Sequence, residues 1–121
     1  MNDNPALAHY NYGVALMKAG KASEAVEQFR QAIQVKPDYI DAHNNLAVAL
    51  AVSGRIDEGI TELERVLQVN PGYAEVHYNL ARFLEKAGRT TDAVEHYKEA
   101  LKLRPDFEPA KSALDRLNTI Q

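Results

Sequence analysis

Small and large apolar residues recur at helical spacing along this chain of 121 residues. In three stretches, small, apolar or imidazole side chains fall at intervals i, i+3, i+4 and i+7, which places them on one face of a helix. The three stripes are His9, Tyr12, Gly13 and Leu16; His43, Leu46, Ala47 and Leu50; and His77, Leu80, Ala81 and Leu84. No segment alternates apolar and polar residues as a strand does. The pattern therefore predicts an all-α chain.

A second stripe follows each of the first ones and mixes very small with large residues. Its members are Ala25, Phe29, Ala32 and Ile33; Gly59, Leu63, Val66 and Leu67; and Ala93, Tyr97, Ala100 and Leu101. This mixture lets two helix backbones approach closely while the large side chains fill the neighbouring groove. Between the paired stripes stand Gly20, Gly54 and Gly88, and glycine is the usual residue just past the end of a helix. Each pair of stripes predicts a helix, a tight turn and a second helix.

Three prolines, Pro37, Pro71 and Pro105, stand 34 residues apart, and each is followed two residues later by an aromatic residue. A fixed period of this length indicates one structural unit built three times. Aligning the prolines predicts a single domain, residues 1–121, with repeat 1 at about 6–39, repeat 2 at about 40–73 and repeat 3 at about 74–107.

The tail, at about 108–121, predicts one amphipathic capping helix. Its apolar positions are Ala110, Ala113, Leu114, Leu117 and Ile120, and its polar face carries Lys111, Asp115 and Arg116. A repeat array needs such a helix, because its last repeat would otherwise expose apolar surface to water.

These residues resemble the tetratricopeptide repeat family over nearly the whole chain. The matching positions are His9, Tyr12-Gly13, Leu16, Ala25, Phe29 and Pro37 in repeat 1, with their equivalents 34 and 68 residues later. The resemblance implies a right-handed superhelical solenoid in which the first helix of each repeat lines a concave groove. It also implies a protein–protein interaction scaffold that holds an extended peptide or partner segment there. Gly59 and Leu63 depart from the family's alanine and aromatic residue, and we expect them to loosen repeat 2 locally.

On this resemblance, the face opposite each first-helix stripe is the concave surface. It consists of Leu7, Asn11, Val14 and Lys18; Asp41, Asn45, Val48 and Val52; and Glu75, Asn79, Arg82 and Lys86, flanked by Tyr10, Asn44 and Tyr78.

Asparagine occupies the same place in all three repeats, at Asn11, Asn45 and Asn79. A side-chain amide both donates and accepts, so such a row could pair with the backbone of an extended peptide. The arrangement is similar to the tetratricopeptide arm of O-linked N-acetylglucosamine transferase. Arg82 and Lys86, with the apolar groove positions, favour a peptide that carries acidic and apolar residues.

The repeats that grip chaperone carboxylate tails carry lysines and an arginine in a set pattern. Here the matching places hold Tyr10, Val14, Glu75 and Asn79, with only Asn45 in agreement. This argues against a chaperone-tail clamp.

Two other functions remain open at this stage. The first is self-association through the first helix, Ala6–Ala19, because no polar capping segment precedes it and its outer side is expected to expose apolar surface. The second is a role as the substrate-positioning arm of a larger enzyme, such as a glycosyltransferase.

The composition of the chain excludes several classes of partner and site. Apolar residues make up 45% and charged residues 26%, and the net charge of -3 favours neither nucleic acid nor an anionic membrane as partner. No signal peptide or membrane-spanning run is visible, so a cytoplasmic protein is expected. The chain has no cysteine, which excludes disulfides and thiolate metal sites.

The histidines and acidic residues indicate no catalytic, cofactor or metal site. Equivalent positions of stacked repeats lie about 8–10 Å apart, whereas zinc ligands lie about 2.0–2.1 Å from their ion. His9, His43 and His77 are therefore expected to be packing residues. His96 is expected on the outer face of its helix, and the spacing identifies no partner for it. No phosphate loop or nucleophile–base arrangement is apparent, and we expect no enzyme.

Overall fold

The computed structural model describes residues 4–120, with only the backbone of Thr119 and Ile120. It contains seven helices: α1 Pro5–Lys18, α2 Ala22–Val35, α3 Ile40–Val52, α4 Ile56–Val69, α5 Ala74–Lys86, α6 Thr90–Leu103 and α7 Glu108–Ile120. All regular structure in this part of the chain is helical, which confirms the predicted all-α helical repeat solenoid. The side chain of Ile120, which the sequence places on the apolar face of α7, lies outside the described residues.

Local signals set the helix boundaries. Pro5 opens α1, and the side-chain oxygen of Asn4 accepts a hydrogen bond from the Leu7 N–H at 3.1 Å. The first helix of each repeat ends before a glycine in the left-handed region, with φ of 76°, 87° and 82° at Gly20, Gly54 and Gly88. A side chain at these positions would be strained, so the predicted glycine stops are confirmed.

The chain divides into two compact units, Met1–Glu62 and Leu63–Gln121, with the boundary inside α4. We call them the N-terminal unit and the C-terminal unit. In the N-terminal unit, α2 packs against both α1 and α3. In the C-terminal unit, α6 packs against both α5 and α7. In each unit one second helix, α2 or α6, is thus covered by the helix before it and by the helix after it.

Phe29 is the centre of the N-terminal core. It is buried together with Leu16, Val26, Leu46 and Leu50, so α1, α2 and α3 all contribute to one apolar cluster. Full burial of each such side chain stabilises the folded state by about 1.5–3 kcal/mol.

Tyr97 occupies the equivalent place in the C-terminal unit, 68 residues after Phe29. It is buried, as are Leu80 and Leu84 of α5. The capping helix α7 buries three apolar side chains predicted for its inner face, namely Ala110, Ala113 and Leu117, and Leu114 is half-buried.

Tyr12 is the one member of the predicted stripes that is not packed. Its side chain is 56% exposed, whereas the equivalent Leu46 and Leu80 are 4% and 0% exposed. In the N-terminal unit, α2 covers α3 around Leu46. Within residues 4–120 no helix precedes α1, so nothing equivalent covers Tyr12. The stripe alone does not predict this difference, because burial also depends on what packs before the repeat. The expected exposure of apolar surface on α1 is found at Tyr12.

Gly59, which was expected to loosen repeat 2, lies at a close contact between two helices. It is buried, and a Cβ atom at this position would lie 2.9 Å from the backbone oxygen of Ala47. That separation is shorter than any ordinary carbon–oxygen contact. The glycine therefore permits a close approach of α4 to α3, which an alanine would prevent.

Candidate functional site

The predicted groove residues differ in how accessible they are. Exposed side chains are Leu7, Asn11, Lys18, Asp41, Val52, Glu75, Arg82 and Lys86. Half-buried side chains are Tyr10, Val14, Asn44, Asn45, Val48, Tyr78 and Asn79. Eight of these positions are thus open to a partner without any rearrangement.

In the N-terminal unit, Tyr10 forms an aromatic cluster with Phe29 and Tyr39, at centroid distances of 5.9 and 5.1 Å. The Asn45 side-chain N–H donates a hydrogen bond to the Tyr10 hydroxyl at 3.0 Å. Burial, followed by the charge of Asp41, raises the pKa of Tyr10. Asn45 therefore has a structural role beside any role in binding.

The three asparagines have three different environments. Asn11 is exposed, Asn45 holds Tyr10, and the Asn79 oxygen accepts a hydrogen bond from Arg82 at 3.3 Å. Equivalence in sequence therefore goes with different exposure at Asn11 than at Asn45 and Asn79. Backbone recognition by this row stays a prediction.

The C-terminal unit contains an open pocket of about 560 Å³ between α5, α6 and α7. It is lined by Tyr78, Arg82, Glu85, Lys86, Tyr97, Pro109, Ser112, Ala113 and Arg116. Three predicted groove residues, Tyr78, Arg82 and Lys86, thus come together on one wall. The contribution of α7 was missed, although Pro109, Ser112, Ala113 and Arg116 have the spacing of a single helix face.

Glu85 is the acidic group of this pocket, and its charge is already balanced. Both of its carboxylate oxygens accept hydrogen bonds from the Arg116 guanidinium, at 2.8 and 2.9 Å, and the Tyr97 hydroxyl donates another at 2.7 Å. Arg116 holds the pKa of Glu85 below its usual range, and burial together with Glu85 raises the pKa of Tyr97.

Arg82 and Lys86 leave the pocket with an excess of positive charge. Both side chains are exposed, and neither forms an ion pair with any other residue that the structure describes. Arg82 also lies against the Tyr78 ring, 5.7 Å from its centroid. An arginine on an aromatic face beside a lysine is an arrangement that attracts carboxylates.

Each repeat also pairs its histidine with a residue 19 positions later. His9 contacts Gln28 at 2.8 Å, His43 contacts Glu62, and His77 contacts His96 at 3.0 Å. The expected outer-face position of His96 was therefore wrong, since its ring is half-buried against His77, a partner that the spacing had not identified. Among the residues with described side chains, no three histidine, aspartate or glutamate groups could together hold a metal ion.

Sequence comparison identifies the repeats. A tetratricopeptide repeat family model matches residues 44–106, and a second repeat model of the same family matches residues 13–54. No curated protein sequence matches the chain. None of the helices between residues 4 and 120 is long and apolar enough to cross a membrane.

The fold is similar to several solved structures. YrrB, a protein described as having an unusual peptide-binding site, is 23% identical with a TM-score of 0.84 over 93% of this chain and 57% of that one. The first such domain of Spaghetti (RPAP3), bound to the HSP90 peptide SRMEEVD, is 18% identical with a TM-score of 0.90 over 99% and 95%. The Arabidopsis OM64 domain is 19% identical with a TM-score of 0.90 over 97% of both chains. This chain spans 57% and 66% of the lengths of YrrB and MamA, respectively.

Proposed function

Because the chain belongs to the tetratricopeptide repeat family, we propose that it is a protein-interaction scaffold that binds a partner segment in the pocket of its C-terminal unit. The observation that carries this proposal is the pocket wall of Tyr78, Arg82 and Lys86. On the family resemblance, Arg82 and Lys86 were predicted to line the groove and Tyr78 to flank it. The pocket volume lies within the range of about 300–1,000 Å³ found for binding sites of small ligands.

The charge of the pocket favours an acidic segment. Arg116 neutralises the charge of Glu85, so Glu85 does not occupy Arg82 or Lys86. A carboxylate that enters the pocket can therefore pair with these two side chains. Tyrosine and arginine are also the residues that are enriched where protein interfaces are strongest. The partner is therefore an acidic peptide that also carries an apolar residue to contact Tyr78 and Ala113.

The structural neighbours support binding of this kind in general. The RPAP3 domain holds a peptide with two glutamates and an aspartate, and YrrB has a peptide-binding site. At these sequence identities the similarity extends to the fold, and the choice of partner has to come from the residues of this chain.

The exposed first-helix side chains of the N-terminal unit form the second part of the proposal. Asn45 donates a hydrogen bond to Tyr10, whereas Asn11 is exposed. A substitution of Asn11 therefore tests backbone recognition with less effect on the fold. Replacing Asn11 with alanine is expected to weaken peptide binding about fivefold, the value of one hydrogen bond of about 1 kcal/mol.

Selection from a random displayed peptide library on the immobilised full chain tests the pocket. We expect enriched peptides rich in Asp and Glu, and binding of those peptides about tenfold or more weaker to the double variant Arg82→Glu/Lys86→Glu, measured by calorimetry. The matched control is Lys98→Glu/Lys102→Glu, which changes charge equally on exposed positions of α6 outside the pocket. Equal weakening in both double variants would mean that net charge, not the pocket, governs binding.

A second candidate is self-association through the exposed side of α1. Ala8, Tyr12 and Ala15 are exposed, whereas their equivalents Ala42, Leu46 and Ala49 are buried. Light scattering of the wild type and of Tyr12→Glu tests this candidate. A concentration-dependent increase in mass that Tyr12→Glu abolishes supports it, and a wild type that is monomeric at all concentrations rejects it.

A further inference from the structure

His77 and His96 occupy the positions of a contact found in every repeat, but only here are both partners histidine. Their Nδ1 atoms lie 3.0 Å apart, and the two rings are stacked with centroids 5.3 Å apart. His77 is only 6% exposed, and its Nε2 lies 2.8 Å from the backbone oxygen of Pro71. Both side chains belong to the C-terminal unit, one on α5 and the other on α6.

The hydrogen-bond chemistry limits how many protons this contact can hold. A carbonyl oxygen only accepts, so Nε2 of His77 must carry a proton and donate it to Pro71. A hydrogen bond between the two Nδ1 atoms then needs one proton and one lone pair. With both rings neutral, His96 Nδ1–H donates to the lone pair of His77 Nδ1. One added proton can be accommodated, because either ring can then donate to the other.

A second added proton cannot be accommodated. Both Nδ1 atoms would carry hydrogen, and two N–H groups of two cations would face each other at 3.0 Å. Like charges at this distance repel strongly, and the hydrogen bond between them is lost. We propose that the His77–His96 contact is an acid-sensitive link between α5 and α6, closed near neutral pH and opened when both imidazoles are protonated.

The other repeats provide internal controls for this proposal. His43 has two acceptors, since Nδ1 donates to the Glu62 carboxylate and Nε2 donates to the Pro37 carbonyl at 2.7 Å. Protonation therefore suits His43, and its hydrogen bond with Glu62 raises its pKa. His9 faces the uncharged Gln28. Only His77 faces a second group that can itself become positive.

The charged groups around the pair modify the first protonation step. Glu64 of α4 and Asp92 and Glu99 of α6 favour a cation at His96, whereas burial and the charge of His77 oppose it. Burial is the largest of these effects, and the pKa of His96 is lowered. The unfolded chain, with an ordinary histidine pKa of about 6.5, therefore binds the proton first. The stability that the contact contributes is complete above about pH 6.5 and is lost as the pH falls through the lowered pKa.

Opening of the His77–His96 contact would change the wall of the pocket, because the next residue on each helix lines it. Tyr78 follows His77 in the chain, Tyr97 follows His96, and the two tyrosine rings lie 5.8 Å apart in the pocket wall. Acidification is thus expected to weaken peptide binding, a consequence that rests on the proposed function. NMR of the imidazoles and thermal unfolding of His96 variants use no peptide, so both tests are independent of the proposed function.

The first experiment is a ¹H–¹⁵N correlation spectrum of the imidazoles in the wild-type chain, followed through a pH titration. At neutral pH we expect the Nε2–H tautomer for His77 and the less common Nδ1–H tautomer for His96. On acidification the hydrogen bond between the two Nδ1 atoms should be lost. Two ordinary Nε2–H tautomers at neutral pH, or a hydrogen bond that persists in acid, would overturn the proposal.

The second experiment exchanges His96 for its equivalents in the other repeats. His96→Gln reproduces the partner of His9, and His96→Glu reproduces the partner of His43. Between about pH 7.5 and 5.5 the wild type should lose about 3 °C more in Tm than His96→Gln, whereas His96→Glu should lose less than His96→Gln. Identical pH dependence in all three chains would also overturn the proposal.

Discussion

The two compact units build the same aromatic arrangement and then connect it differently. In the N-terminal unit, Tyr10 packs against Phe29 and Tyr39 at 5.9 and 5.1 Å. In the C-terminal unit, Tyr78 packs against Tyr97 and Phe107 at 5.8 and 5.3 Å, and these residues stand 68 positions later. The apolar scaffold is therefore nearly identical in the two units.

The polar connection is what differs. In the N-terminal unit, the Tyr10 hydroxyl accepts a neutral hydrogen bond from the Asn45 side chain. In the C-terminal unit the extra hydroxyl of Tyr97 reaches Glu85, which in turn is held by Arg116 of the capping helix. A single oxygen atom, present in Tyr97 and absent from Phe29, thus links α6 to a charged network that lines a pocket. The comparison shows that two repeats can have the same aromatic core while the polar residues around it differ, and that in the C-terminal unit these polar residues line the pocket.

The core of the N-terminal unit should show the largest effect. Replacing Phe29 with alanine empties a fully buried position and is expected to cost about 3–5 kcal/mol of unfolding free energy, measured by urea denaturation. The matched control is Tyr12→Ala, which removes an exposed aromatic ring from α1 and should cost about 0.5 kcal/mol or less. Similar losses in the two variants would contradict the finding that α1 has an uncovered side.

The close contact at Gly59 should give the next largest effect. Alanine has the better helix propensity, by about 1 kcal/mol, but its Cβ would meet the Ala47 oxygen at 2.9 Å. The Gly59→Ala variant is therefore expected to be less stable by about 1–3 kcal/mol in the same urea assay.

Gly72 provides the control for this prediction. A Cβ atom there meets no other atom within 4 Å, and its φ is not positive. Gly72→Ala should be neutral or slightly stabilising. A stable Gly59→Ala variant would show that α4 can move away from α3 at little cost.

The charged network of the C-terminal unit should contribute less than either packing contact. Arg116→Met removes two hydrogen bonds to Glu85 and is expected to cost about 1 kcal/mol, since the arginine is half exposed. Arg89→Met breaks a pair with Asp92 in which both side chains are exposed, and should cost about 0.3 kcal/mol. Equal costs would mean that the Glu85 network is no stronger than a surface ion pair.

The network also predicts a pH dependence with a defined sign. The pKa of Glu85 is lowered, chiefly by Arg116, so its contribution to stability is present above the ordinary carboxyl pKa of about 4.3. It is lost as the pH falls through the lowered value. The difference in stability between wild type and Arg116→Met should therefore shrink on acidification, which urea denaturation at several pH values can measure.

The smallest effect is expected at His43 and has the opposite sign. Its pKa is raised, so the contact with Glu62 stabilises the N-terminal unit fully below about pH 6.5 and less as the pH rises through the raised value. Glu62→Gln keeps a hydrogen-bond acceptor but removes the charge. In that variant the loss of Tm between pH 6 and pH 9 should be smaller than in the wild type by about 2 °C.

The sequence predicted the repeats well because their signals are local. The 34-residue period, the glycine stops and the paired stripes all act within one helix–turn–helix segment, and family and fold follow from them. Tyr12 shows the limit of this reasoning, since the same stripe position is buried at Leu46 only because α2 covers it. A stripe predicts which face of a helix is apolar, but whether that face is buried depends on the neighbouring helix.

The candidate site was less predictable because its parts come from distant positions. Arg116 reaches Glu85 across 31 residues, and no periodic pattern connects the capping helix with α5. The partner of His77 could have been found, however. When the repeat alignment is extended to the second helices, His96 aligns with Gln28 and Glu62. Each of the three residues can form a hydrogen bond with the histidine 19 positions before it.

The central claim is that a partner segment binds through the C-terminal pocket, and an NMR titration tests it most directly. The ¹⁵N-labelled full chain would be titrated with an acidic peptide from the selected library pool, and the backbone amide shifts mapped onto the helices. We predict that the largest shifts fall at Tyr78, Arg82, Lys86 and Ser112, with smaller ones at Asn11. Largest shifts on α1 and α3, with the pocket residues unchanged, would contradict the account.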